Sequence, residues 1–172
     1  MVVFKNEKLF ADNVYLPDVT EEDIESTIPP ATFSYISSKP KFSIDFPKQP
    51  EETKGETSSG GYKLTLKYAP NKDLVYMVMV SEISSKIKPS KYEKTAADMA
   101  NKFAEKTEAK DPETSTFTVD GFNGTQKTYT KGVVFYRYVS ICIDGFAYQL
   151  IYLNSSEDGE TGEDFFQSFS VK

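Results

Sequence analysis

From Phe42 onward the chain alternates. Phe42, Ile44 and Phe46 stand two apart with Ser43 and Asp45 between them, and Pro47 closes the run. This is the period-2 pattern of a strand with one buried face. After a polar stretch, 48–59, and Gly60-Gly61, the pattern resumes with Tyr62, Leu64, Leu66 and Tyr68 against Lys63, Thr65 and Lys67. The second set predicts a strand with one wet face. Pro70-Asn71-Lys72-Asp73 has turn chemistry. Leu74 to Val80 is then apolar at every position, which predicts a strand covered on both faces.

One helix stands out, Lys91 to Thr107. Tyr92, Ala96, Met99, Ala100 and Phe103 fall on a single stripe, with Lys94, Asp98, Lys102 and Glu105 elsewhere. Ser90 and Glu93 have the spacing of a capping box. The stripe is expected to be core. Asp111-Pro112 ends the region, and the last third reads as a meander: Thr116 to Asp120, Phe122 to Thr130, then Val133 to Ile143 and Phe146 to Leu153.

Asp144-Gly145 is a type I′ pair, because both residues accept positive φ. A two-residue loop fixes the register of its strands. Ile143 then opposes Phe146, Ile141 opposes Tyr148, Val139 opposes Leu150 and Arg137 opposes Tyr152. On the other face Cys142 meets Ala147, Ser140 meets Gln149, Tyr138 meets Ile151 and Tyr136 meets Leu153. The first face is apolar apart from Arg137; the second is mixed. The fold class expected is α+β, an antiparallel β-sheet meander with one main helix packed on it, over residues 41–172. An acidic loop, Asn154 to Asp164, precedes Phe165, Phe166 and Phe169, which anchor the C-terminus.

Residues 1–40 follow a different pattern. Thr20 can cap a short helical turn with Glu21, Glu22 and Asp23 behind it, and Val19 and Ile24 have the spacing of a hydrophobic staple. Pro29-Pro30 stops it. This segment is expected to be an acidic arm. Met1 to Asp12 has no apolar h-region, so it does not read as a signal peptide. That leaves a cytoplasmic protein or a processed exported chain. No apolar run is long enough to span a membrane as a helix.

Composition narrows the chemistry. The chain of 172 residues contains no His, no Trp and 1 Cys. Ser-His-Asp and Cys-His catalysis and the usual zinc ligand sets therefore drop out, and Cys142 reads as a buried, inert thiol. The net charge is −6, and Arg137 is the sole arginine. Nucleic-acid readers lean on arginine for base and phosphate contacts, so no nucleic-acid partner is expected. Gly60-Gly61 lacks the ending of a phosphate loop and leads into a strand, so no cofactor is expected either. Asn154, Ser156, Asp158 and Gly159 imitate the start of a calcium loop, but Phe165 stands where the bidentate glutamate is needed.

Arg137 with Tyr152 is the candidate ligand or partner surface. Its functional reading is an anion or carboxylate anchor. Its structural reading, the one expected, is a rim arginine stacked on Tyr152.

The order of elements, with Phe42-Ser-Ile-Asp-Phe-Pro47, Pro50, a middle helix, paired long strands and a closing Phe165-Phe-Gln-Ser-Phe169, resembles the PsbP-like superfamily. That superfamily also includes a Ran-binding nuclear import factor and DcrB-like bacterial lipoproteins. The resemblance covers residues 41–172. It implies an antiparallel sheet flanked by helices, an α/β sandwich used for binding and assembly, and it assigns no functional residue here. The function expected is a non-catalytic binding or accessory domain with a protein partner. The alternatives are an enzyme using carboxylate or lysine chemistry, or a surface-exposed structural module.

Overall fold

The computed structural model describes residues 32–155 and 159–171. The helical turn expected near Thr20 and the middle of the calcium-like loop, Ser156 and Asp158, lie outside the described residues. The alternating segments form strands in antiparallel order: β1 (Phe33–Ser38), β2 (Lys41–Phe46), β3 (Glu51–Glu56), β4 (Tyr62–Tyr68), β5 (Leu74–Glu82), β6 (Glu113–Val119), β7 (Phe122–Lys131), β8 (Val134–Ile143) and β9 (Phe146–Asn154). Two helices accompany them, α1 (Tyr92–Lys106) and the short α2 (Glu163–Gln167). β3 to β9 make one sheet ordered β3-β4-β5-β9-β8-β7-β6, and β1 pairs with β2 as a separate ribbon.

The hairpin register holds residue for residue, from Ile143 opposite Phe146 to Tyr136 opposite Leu153. Asp144 and Gly145 adopt φ of 49° and 83°, the left-handed pair that matches strand twist. Asp120 and Gly121 do the same at 48° and 84°, so Asp120, read as the end of a strand, is a turn residue instead.

The sheet separates two cores. On one face Leu64, Leu66, Val78, Val80, Val139, Ile141 and Leu150 are fully buried with Phe42, Ile44 and Phe46 of the ribbon and with Phe165, Phe166 and Phe169. On the other lies α1. Its Ala96, Ala100 and Ala104 are buried, and such small side chains let the helix sit close to Cys142, Ala147 and Tyr138. Phe103 stacks on Tyr138 with ring centroids 4.2 Å apart, and the buried Ser140 hydroxyl donates to the Ala96 carbonyl at 2.7 Å.

Four expectations need correction. Residues 33–38, counted in the arm, form β1 and pair along the whole of β2. Residues 51–56, read as a polar connection, form β3, fully exposed yet hydrogen-bonded along β4. The capping box does not form: Pro89 starts a 3-10 turn that takes in Ser90, and Lys91 stands at the N-cap without a side-chain bond. β5 is fully covered on one face and only partly on the other, where Met77 and Met79 pack at the edge of the cluster formed by Ala100, Tyr138 and Ile151. Tyr76, Val78 and Val80 are buried, whereas Met77 and Met79 are half-buried, because α1 packs over β7 and β8.

Candidate functional site

Arg137 lies on β8, opposite Tyr152 on β9. Its guanidinium is engaged within the fold. Nε donates to Gln126 Oε1 of β7 at 2.9 Å, Nη1 pairs with Glu163 Oε2 at the start of α2, and Cζ stands 4.1 Å above the Phe166 ring. The ring beneath the arginine is therefore Phe166 and not Tyr152. The hydrogen bond from Arg137 holds the Glu163 carboxyl below the usual carboxylate range. Tyr152 is fully buried; its hydroxyl donates to the Glu160 carbonyl at 3.3 Å, and its ring meets Tyr76 edge-on. The buried pair thus ties the C-terminal helix to the sheet.

The opposite end of the β8–β9 hairpin is open. There the Asp144-Gly145 turn, the Asp120-Gly121 turn and the β1–β2 turn converge. Lys39, Lys41, Phe122, Asp144, Phe146 and Tyr148 are among the residues lining a cleft of about 530 Å³. A second cleft of about 290 Å³, reached past Tyr92, Glu93 and Asn123, shares Phe122, Ile143 and Asp144 with the first. Phe122 borders both and is 42% exposed. It sits there because it is the first residue after the Asp120-Gly121 turn, at the rim of the sheet, where no further strand among the described residues covers it.

The cleft has an aromatic floor. Tyr148 contacts Phe42 and Phe169, with ring centroids 5.7 and 5.6 Å away, and Phe146 meets Tyr62 edge-on at 6.2 Å. Burial, and secondarily the Asp144 carboxylate, push the Tyr148 phenol up to about 12, so it remains a neutral donor at physiological pH. The rim carries Lys39 and Lys41 on the ribbon and Asp144 on the hairpin turn. Asp120 is already engaged: its Oδ2 accepts from Ser170 Oγ at 3.0 Å and from the Val171 amide at 2.8 Å, holding the C-terminal segment against the turn.

Neither cleft includes Arg137 or Tyr152. Sequence reasoning missed Phe122, Lys39 and Lys41. The available signal was the second Asp-Gly pair, which places the next residue at a hairpin tip. Cys142 borders the smaller cleft but is buried, and burial pushes its thiol up to about 11, far from the thiolate a nucleophile requires. Among the described residues, no cluster of three or more Asp, Glu or Cys is placed to hold a metal, and no helix is long and apolar enough to cross a membrane.

The fold has a solved counterpart. The chain is similar to the solution structure of cyanobacterial PsbP (CyanoP) from Synechocystis sp. PCC 6803, with a TM-score of 0.57 and 13% sequence identity. The match covers 85% of this chain and 95% of that one. No family model and no curated protein matches the sequence. The architecture is therefore PsbP-like, as the order of elements implied.

Proposed function

We propose that this chain is a non-catalytic binding or accessory domain that takes a segment of a protein partner into the cleft at the turn end of its sheet. The observation that carries this reading is Phe122, an aromatic side chain held 42% exposed between two clefts. Large aromatic groups at a concave rim supply much contact area for little lost rotamer freedom, which is why they recur as interface anchors. Tyr148 adds a neutral donor in the cleft. Lys39 and Lys41 favour an acidic group on the partner, while Asp144 disfavours one on the hairpin side. The segment that fits this chemistry is an apolar or aromatic residue flanked by a carboxylate.

The test is affinity capture from the source organism with the wild-type chain and with Phe122→Ala and Lys39→Glu/Lys41→Glu variants. A protein retained by the wild type and lost by both variants supports the reading. No protein above background, or one retained equally by all three, overturns it.

A further inference from the structure

The seven-stranded sheet ends in two edges, β3 and β6. An edge strand offers a row of unpaired N–H and C=O groups, and charges are the usual means of blunting it. β3 is blunted: Glu51, Glu52, Lys54 and Glu56 are all exposed along its six residues. β6 is not. Its sequence, Glu-Thr-Ser-Thr-Phe-Thr-Val, carries one charge at its first position and four β-branched residues, the composition that pairs best on a pleated surface. It has no proline, and its first four residues are exposed.

The turn fixes which backbone groups face outward. Val119 pairs with Phe122 across the two-residue Asp120-Gly121 turn, and the pair closing such a turn exchanges both hydrogen bonds. Alternation along the ladder then gives Phe117, Ser115 and Glu113 their bonds to β7. The N–H and C=O groups of Thr114, Thr116 and Thr118 point to the free edge. These three positions are symmetric about Thr116.

We infer that β6 pairs antiparallel with β6 of a second copy of this chain, on a two-fold axis at Thr116, joining the two sheets edge to edge. In that register Thr116 faces Thr116, and Thr114 faces Thr118 of the second copy. Every outward group of one strand meets an outward group of the other. The side chains agree: three threonine pairs align on the α1 side, and Thr–Thr pairs are favourable across strands. Glu113 faces Val119, so no like charges oppose each other along the paired strands. The same operation on β3 is centred on Lys54: Thr57 donates inward to Gly61, and alternation turns Glu52, Lys54 and Glu56 outward, so Lys54 meets Lys54 and Glu52 meets Glu56. Charge thus selects β6 over β3, and the interface is isologous and closed.

Sedimentation velocity on the full chain over a concentration series tests this. The wild type is expected to show a reversible monomer–dimer equilibrium. Thr116→Lys sets two ammonium groups against each other at the axis. Thr116→Pro removes an outward N–H while leaving the β7 ladder whole, as a proline at an edge position does. Each is expected to weaken the dimer about tenfold or more. Thr53→Lys, on β3, is expected to leave it unchanged. Circular dichroism confirms that each variant is folded, and Thr116→Lys alone decides the matter if the proline variant is not. A wild type that stays monomeric throughout overturns the inference, as does a dimer that survives Thr116→Lys. Thr116 lines neither cleft, so loss of the dimer and loss of a captured partner are separate outcomes.

Discussion

Arg137 of β8 and Glu163 of α2 form an ion pair that clamps the last helix onto the sheet, with the arginine 9% exposed and the glutamate 53% exposed at the side chain. The asymmetry decides its energetics. A fully buried pair costs about 3–5 kcal/mol to break, because the remaining charge is stranded. Here one partner is half in water, which screens the attraction and lowers that figure.

Arg137→Ala is expected to lower stability by about 2 kcal/mol, from the lost pair and the lost packing on Phe166. Arg137→Lys should recover less than half, since an ammonium lacks the planar fork that meets Gln126, Glu163 and the ring together. Urea unfolding with an unchanged m-value checks both. A loss below about 0.5 kcal/mol for Arg137→Ala would place the clamp among ordinary surface pairs.

The pair also predicts a pH dependence. The hydrogen bond from Arg137 lowers the folded pKa of Glu163. A depressed carboxylate contributes stability that is present above its unfolded pKa of about 4.3 and lost as pH falls through the folded value. The difference between wild type and Glu163→Gln should therefore be constant near neutrality and shrink in acid. Unfolding midpoints measured from neutral pH down through the carboxylate range test this; a gap that widens in acid contradicts it.

Gly124 on β7 has no room for a side chain. A Cβ there would lie 2.5 Å from the Ser140 carbonyl oxygen and 2.8 Å from Ile141 Cβ, both on β8. Neither can retreat, because β8 is held between β7 and β9. Gly124→Ala should cost about 2 kcal/mol through overpacking. Gly55→Ala on the edge strand meets nothing within 4 Å and should stabilise by about 0.5 kcal/mol through the unfolded chain. Thermal melts of the two variants should move in opposite directions.

Cys142 should resist thiol labelling near neutral pH in the folded protein. It is buried, and its thiol is pushed up to about 11. A folded pKa above the unfolded one contributes stability that is complete below the unfolded value and is lost as pH rises toward about 11. Labelling by an aromatic disulfide should follow the urea unfolding curve, and rapid reaction of the native protein would exclude the buried-thiol description.

The hairpin was legible because its causes are local. Asp144-Gly145 sets the turn, the turn sets the register, and every pair from Ile143–Phe146 outward follows. The stripe on α1 was legible for the same reason. β3 was not, since Glu51–Glu56 buries nothing and is a strand only because β4 offers an edge. Ser90 looked like a cap, but Pro89 drew it into a 3-10 turn. The position of Arg137 opposite Tyr152 could be read; its true partners could not, because Glu163 stands 26 residues away.

The sequence by itself determined the antiparallel strands other than β1 and β3, the main helix with its buried stripe, the type I′ turn and the lack of imidazole chemistry. Each follows from residue type and short-range spacing, where backbone sterics and the period of the pattern act within a few residues. Only the tertiary structure decided that Arg137 is tied to Glu163 and Phe166, that Phe122 stands exposed between two clefts, and that, among the described residues, one sheet edge is a strand rich in charge and the other a strand with a single charge. Those outcomes depend on which distant segments come to lie side by side, and long-range packing sets that.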